Sequence, residues 1–350
     1  MPRENVLGWD IGGAHVKVAK AAGSRSISHV YQLPCQLWRG LNQLRASIDV
    51  ISKQLDFSES LFAITMTGEM VDHFNSRKEG TRRIINEIEE NFSETETRYF
   101  AGAKGFVSAG EAVREYRHIA SANWFGSANF IATQLKDALF IDVGSTTTDI
   151  LAIQGHQVMN EGCTDAERLY AQELVYCGVV RTPVFALCKA APIEDRFIPV
   201  INEYFASSAD LYRLTGELPG YADMGNTPDG RGRDKMSSAV RLARIFGYDA
   251  VPEALSLWRD VAEYVREQQI QTIINACRKH LSKVEQSLNF PVVGAGVGRF
   301  LVKEIAQRLN RRYVDAASLF DHEDIDDGVN VGDCASAASI ACLGFQRYCI

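Results

Sequence analysis

The chain has 350 residues, 46% of them hydrophobic and 23% charged, which calls for a packed core and excludes a disordered chain. That length suits two domains of ordinary size. A formal net charge of −7 argues against non-specific binding to nucleic acid or an anionic membrane, and leaves room for a local pocket that takes phosphate.

Residues 1–30 read as strands. Within them, LGWDIGGAHVKVAKA (Leu7–Ala21) is an apolar run ending in Asp10, a turn at Gly12-Gly13 and a second apolar run, the pattern of a β-hairpin. Leu41–Leu55 and Gly80–Phe92 have helical spacing, and Ser60–Met66 is a short apolar strand followed by TGEMVDHFNSRKEG. Gly110–Leu135 reads as helix, loop and helix. A second domain opens near Leu139 with FIDVGSTTTDILAI (Phe140–Ile153), again a run ending in an acid, Asp142, then a Gly turn and a second run. Residues from about 200 to 288 are largely helical. They are interrupted by Glu217–Ser237, a long polar stretch rich in Gly, Asp and Arg that reads as a lid or binding loop. FPVVGAGVGRFLVKEIAQRLN (Phe290–Asn310) reads as strand, Gly-rich turn and helix, and the small-residue tail CASAASIACLGF as a tightly packed helix.

The eight cysteines, Cys35 to Cys349, include no C-x-x-C pair and sit among small and apolar residues, as buried free thiols of a reducing cytosol do. The N-terminal residues form no apolar signal region, and no window approaches ~18 continuous apolar residues. The expectation is a soluble cytoplasmic protein that engages neither nucleic acid nor membrane; the sequence leaves a homo-oligomer open.

Asp10-Ile-Gly12-Gly13-Ala-His15-Val-Lys17 and Asp142-Val-Gly144-Ser145-Thr146-Thr147-Thr-Asp149 align on their acids, 132 positions apart. Two related domains, each opening with the same hairpin, are expected. Gly12 and Gly144 would permit close backbone approach and a positive φ. Successive N–H and hydroxyl groups at Ser145, Thr146 and Thr147 would converge on phosphate oxygens, with Thr148 turned back into the sheet and Asp149 turned outward again. Asp10 and Asp142, each at a strand end, suit a hard cation such as Mg²⁺. Gly294, Gly296 and Gly298 would set a turn and a helix N-terminus against an anion, or serve only close packing of strand and helix. The bland alternative for the hairpins is a pair of hydroxyl-rich turns capping a sheet.

Two hairpins followed by a Gly-rich loop resemble the actin, Hsp70 and sugar-kinase superfamily. That resemblance implies two related α/β domains with a phosphate-binding cleft between them, the hairpins facing each other across it. The expected division is 1–137 completed by a C-terminal helix at 331–350, and 138–330. DVGSTTTD is similar to the second phosphate motif of the hydantoinase A/oxoprolinase group, and Lys17 sits where actin-like members carry a phosphate-binding lysine. Five stretches resemble one branch more closely: WDIGGAHVK, MTGEMVDHFNSRKEG (Met66–Gly80), ASANW (Ala120–Trp124), ELVYCGVVRTPV (Glu173–Val184), and RLARIFG (Arg241–Gly247) after TPDGRG. That branch is the enzymes of methanofuran biosynthesis, linked to tetrahydromethanopterin-dependent one-carbon transfer.

The branch implies a transferase that joins a furan-methyl pyrophosphate to the phenol of γ-glutamyltyramine and releases pyrophosphate. Such a reaction needs stabilisation of the departing pyrophosphate, a positioned phenol and a base. The candidate bases are Asp149, Glu69 and His15, in that order. His15 could instead cap its turn, and Glu69 and Asp72 could pair with Arg77. Arg181 would bind the glutamyl carboxylate or anchor its loop; Arg231 and Arg233 would clamp pyrophosphate or stay solvated. Two rivals stay open: an ATP-dependent kinase or hydantoinase/oxoprolinase-like ATPase, and an actin- or Hsp70-like nucleotide switch without a small-molecule product.

Overall fold

The computed structural model describes residues 5–57, 59–284, 290–322 and 328–349. The first four residues of the expected N-terminal strands and the end of the expected helical middle, 285–288, lie outside the described residues. The chain divides into two compact units: Met1–Ala138 with Ile153–Glu167 and Asp315–Ile350, and Leu139–Ala152 with Arg168–Val314. Two segments thus lie outside a simple split near residue 138: 153–167 and 315–330 both join the first unit.

In the first unit, β1 (Asn5–Ile11), β2 (His15–Ala21), β3 (Ser26–Pro34), β4 (Ser60–Met66), β5 (Thr97–Phe100) and β6 (Phe106–Val107) form one sheet. The order is β3-β2-β1-β4-β5-β6, with Asp321–His322 added at the β3 edge. β1 is antiparallel to β2 and parallel to β4. Alternation along β1 sends Leu7, Trp9 and Ile11 into one core, where Trp9 meets Phe57, Phe62 and Phe92. Residues of the other parity meet the C-terminal helix Ala335–Tyr348. A Cβ on Gly8 would stand 2.1 Å from the Ala337 carbonyl oxygen, so glycine there and a small-residue helix are one packing solution.

In the second unit, β7 (Ala138–Val143) and β8 (Thr148–Gln154) form the second hairpin. The sheet order is Leu174–Val175, β8, β7, Val292–Ala295, Tyr313–Asp315. The strand after the hairpin, Val292–Ala295, runs parallel to β7, as β4 does to β1. Gln157–Val158 also pairs with β8, as a sixth strand of this sheet. A helical group, Ser208–Thr215, Lys235–Arg244 and Leu255–Leu281, adds its own apolar core around Leu211, Leu242, Trp258 and Val265. Ala190–Ile193 and Arg196–Pro199 pair as a small hairpin that the sequence pattern did not signal.

Candidate functional site

The first unit builds its part of the site around the β1–β2 turn. Gly12 N–H donates to His15 O at 2.9 Å, so His15 closes the turn through its main chain. Neither Gly12 nor Gly144 has a positive φ, contrary to expectation. Crowding explains the first pair better: a Cβ on Gly12 would lie 2.8 Å from His15 O, and one on Gly13 2.8 Å from Val71 Cγ1.

Asp10 and Lys17 are cross-strand partners. Asp10 is 6% exposed; its Oδ2 accepts from Ser336 Oγ and, at 3.4 Å, from Asn123 Nδ2. Oδ1 is buried with no hydrogen-bond partner among the described residues. Burial raises the Asp10 pKa, opposed by Lys17, Ser336 and Asn123. Lys17 Nζ donates to Asp333 O at 2.7 Å, which holds the ammonium beside the hairpin.

Glu69 lies in a short 3-10 turn, Gly68–Met70, that leans on the same hairpin: a Cβ on Gly68 would be 3.1 Å from Gly12 O. The Glu69 side chain is fully buried, and Oε1 accepts from Ser121 Oγ at 2.9 Å. Its pKa is pushed up to about 7, chiefly by burial, against its own backbone N–H, Ser121 and the Arg77 charge. The expected pairing of Arg77 with Glu69 or Asp72 is not what the structure shows. Arg77 Nη2 instead binds Asp165 Oδ2 at 2.6 Å, because the helix Asp165–Ala171 begins beside it. ASANW therefore serves two carboxylates, Ser121 holding Glu69 and Asn123 holding Asp10. Fifty-two positions separate Ser121 from Glu69, so no local spacing could reveal the pair.

In the second unit, Gly144 N–H donates to Thr147 O at 2.8 Å to close the β7–β8 turn. Ser145, Thr146 and Thr147 are partly exposed, whereas Thr148 is buried and donates to Cys177 O at 2.7 Å. The loop after Tyr176 cradles the turn from behind: Val179 N donates to Gly144 O, and Val180 N and Arg181 N to Ser145 O, at 2.9–3.1 Å. Arg181 thus anchors the turn through its main chain, and its residue is exposed.

Asp149 was the leading base on sequence grounds. Its Oδ1 accepts from Arg168 Nη2 at 2.7 Å, and Arg168 is only 2% exposed. Asp149 is thus one half of an ion pair with a buried guanidinium.

The Gly-rich turn is closely packed. Gly296, at φ +79, does need glycine: a Cβ there would lie 2.3 Å from Asp142 Oδ1. Gly294 and Gly298 are packing residues, crowded by Tyr313 and Val302 and by Val143 and Val179 respectively. Gly298 N–H already donates to Val143 O at 2.8 Å, which removes it from the expected phosphate donors. Arg231 and Arg233 are exposed on the polar loop and engage it internally, Arg231 lying 4.0 Å from Asp229 and Arg233 donating to Gly225 O. The loop is pinned underneath by Arg241, fully buried, bound to Asp210 at 2.7 Å and Asp229 at 3.0 Å.

The fold is shared with a solved protein of distant sequence. A nucleotide-free structure of acetone carboxylase, from work on ATP-dependent acetone carboxylation, superposes with a TM-score of 0.56 at 11% identity, covering 98% of this chain and 70% of that one. The chain belongs to the hydantoinase/oxoprolinase family, whose sequence profile matches residues 61–319. Among its relatives is a protein of Methanocaldococcus jannaschii named (4-{4-[2-(gamma-L-glutamylamino)ethyl]phenoxymethyl}furan-2-yl)methanamine synthase. It is 30% identical over 87% of this chain and 89% of its own length. A protein of the same name from Methanococcus vannielii is 28% identical over 53% of this chain and 82% of its own. Among the described residues, no helix is long and apolar enough to cross a membrane.

Proposed function

We propose that this chain is a transferase of methanofuran-type cofactor biosynthesis, joining a furan-methyl pyrophosphate to the phenol of γ-glutamyltyramine and releasing pyrophosphate. The observation that carries this reading is the relative 30% identical over 87% of the chain, whose name describes the aryl ether such a reaction makes.

The chemistry suits these residues. A furan-methyl carbon bearing pyrophosphate leaves with carbocation character, because the ring spreads the charge. In this reading the hydroxyls of Ser145, Thr146 and Thr147, on partly exposed residues, would donate to pyrophosphate oxygens, and the backbone donors of residues 179–181 hold that turn. Lys17, fixed at 2.7 Å to Asp333 O, adds positive charge at the first hairpin. Asp10 and Asp142 are the carboxylates that fit Mg²⁺. Asp10 Oδ1, buried and without a partner among the described residues, is an oxygen such an ion would satisfy. Mg²⁺, when bound, would neutralise charge on a leaving pyrophosphate. The γ-glutamyl carboxylate suits a guanidinium, and Arg181 is the exposed candidate next to the turn.

Thermal stabilisation tests the reading. With Mg²⁺ present, pyrophosphate and a furan-methyl pyrophosphate should each raise the melting temperature, by the free energy RT ln(1 + [L]/Kd) at saturation, and ATP should not. Stabilisation by ATP alone would instead make the chain a kinase, an ATPase or a nucleotide switch.

A further inference from the structure

The Ser121–Glu69 contact has a direction that the reaction can use. Ser121 is partly exposed, whereas Glu69 is fully buried and cannot itself touch a phenol. The serine hydroxyl donates to Glu69 Oε1 at 2.9 Å, which leaves its own lone pairs to accept a proton from outside. Its backbone is held at φ 52, a left-handed conformation that a serine adopts only at a cost. The neighbouring residues enforce it. Ala120 bridges to Met66, and Asn123 is tied both to Asp10 and, through Oδ1, to Trp124 N at 2.8 Å. The serine is thereby held on the buried carboxyl, two residues before the Asn123 that binds Asp10.

We infer that Ser121 and Glu69 form a proton relay: the acceptor phenol gives its proton to Ser121 Oγ while Ser121 gives its own to Glu69. This rests on the proposed ether-forming reaction. The balance is complete. The phenol oxygen forms its bond to the furan-methyl carbon, the carbon–oxygen bond to pyrophosphate breaks with both electrons leaving on pyrophosphate, and the phenol proton ends on Glu69. Ser121 is the catalytic residue of the pair, since it meets the phenol, and Glu69 acts through it. Glu69 must start as the anion, and its carboxyl titrates at about 7. The charged groups facing it are Arg77, which favours the anion, and Asp165, which opposes it. Turnover should therefore rise with pH through neutrality.

The test compares Glu69→Gln and Ser121→Gly with the unmodified protein, using γ-glutamyltyramine and a ring-fluorinated γ-glutamyltyramine whose phenol ionises nearer neutrality. Glycine at 121 keeps the left-handed backbone and removes only the hydroxyl, and glutamine at 69 is isosteric, so thermal melts should show both variants folded. With the natural acceptor, each variant should lose about 100-fold in turnover and lose the rise through neutral pH. With the fluorinated acceptor the loss should shrink below about tenfold, because less proton transfer is needed. A loss of equal size with both acceptors would make the pair structural and overturn the relay. If the unmodified protein releases no pyrophosphate with either acceptor, the proposed reaction falls and the relay falls with it.

Discussion

Gly178 lies backbone to backbone against the second hairpin turn: a Cβ on it would stand 2.5 Å from Gly144 O and from Thr146 N. Three consecutive N–H groups that follow it fasten the same turn. Gly178→Ala must displace either the loop or the turn. Turnover should fall at least about tenfold, since each donor shifted from a charged leaving group weakens its stabilisation by more than ~1 kcal/mol. Gly110→Ala, where a Cβ meets nothing nearer than 3.9 Å, is the control and should keep full activity. Steady-state kinetics on the two variants checks this.

The turn hydroxyls divide by burial. Thr148, buried and bonded to Cys177 O, faces the sheet, and Thr147 is partly exposed. Thr147→Ala should lower turnover about tenfold with little change in stability. Thr148→Val should keep most activity and lower stability by about 1–2 kcal/mol, because a buried carbonyl loses its donor. Kinetics and urea unfolding of both variants separate the roles.

The acids at the strand ends predict a metal dependence. Asp10→Asn and Asp142→Asn should each weaken Mg²⁺-dependent binding of pyrophosphate while the chain stays folded. Calorimetric titration of Mg²⁺-pyrophosphate into each variant is the check, and unchanged affinity in both would make these acids structural.

Glu69 should leave a mark on stability. Its folded pKa, about 7, lies above its ordinary value of 4.5, so between these values the unfolded chain binds fewer protons than the native state. Stability therefore falls as pH rises through that window. Glu69→Gln abolishes the fall, with a ceiling of roughly 3 kcal/mol for a shift of this size. The variant should gain in melting temperature over the unmodified protein at about pH 8, relative to its difference at about pH 4. Melting curves at the two pH values decide it.

The hairpins were legible because each is a local pattern: an apolar run, an acid, a Gly turn and a second run, with Thr148 placed by strand alternation. The C-terminal helix was legible from its small residues, which Gly8 explains. The rest depends on contacts between distant segments. Arg168 reaches Asp149 from a helix 19 residues on, and turned the leading candidate base into half of an ion pair. Ser121 is a small polar residue whose meaning comes from Glu69 and from its own positive φ. The glycines at 294 and 298 looked like an anion turn, but their hydrogen atoms face Tyr313, Val302, Val143 and Val179, none of which sequence spacing could place there.

The central claim is ether formation, and the most direct measurement mixes the protein, Mg²⁺, a furan-methyl pyrophosphate and γ-glutamyltyramine without ATP, and follows both products together. The account predicts that the ether, identified by mass, and pyrophosphate appear in equal amounts and only when both substrates are present. Pyrophosphate without ether, or turnover only when ATP is added and consumed, would contradict it.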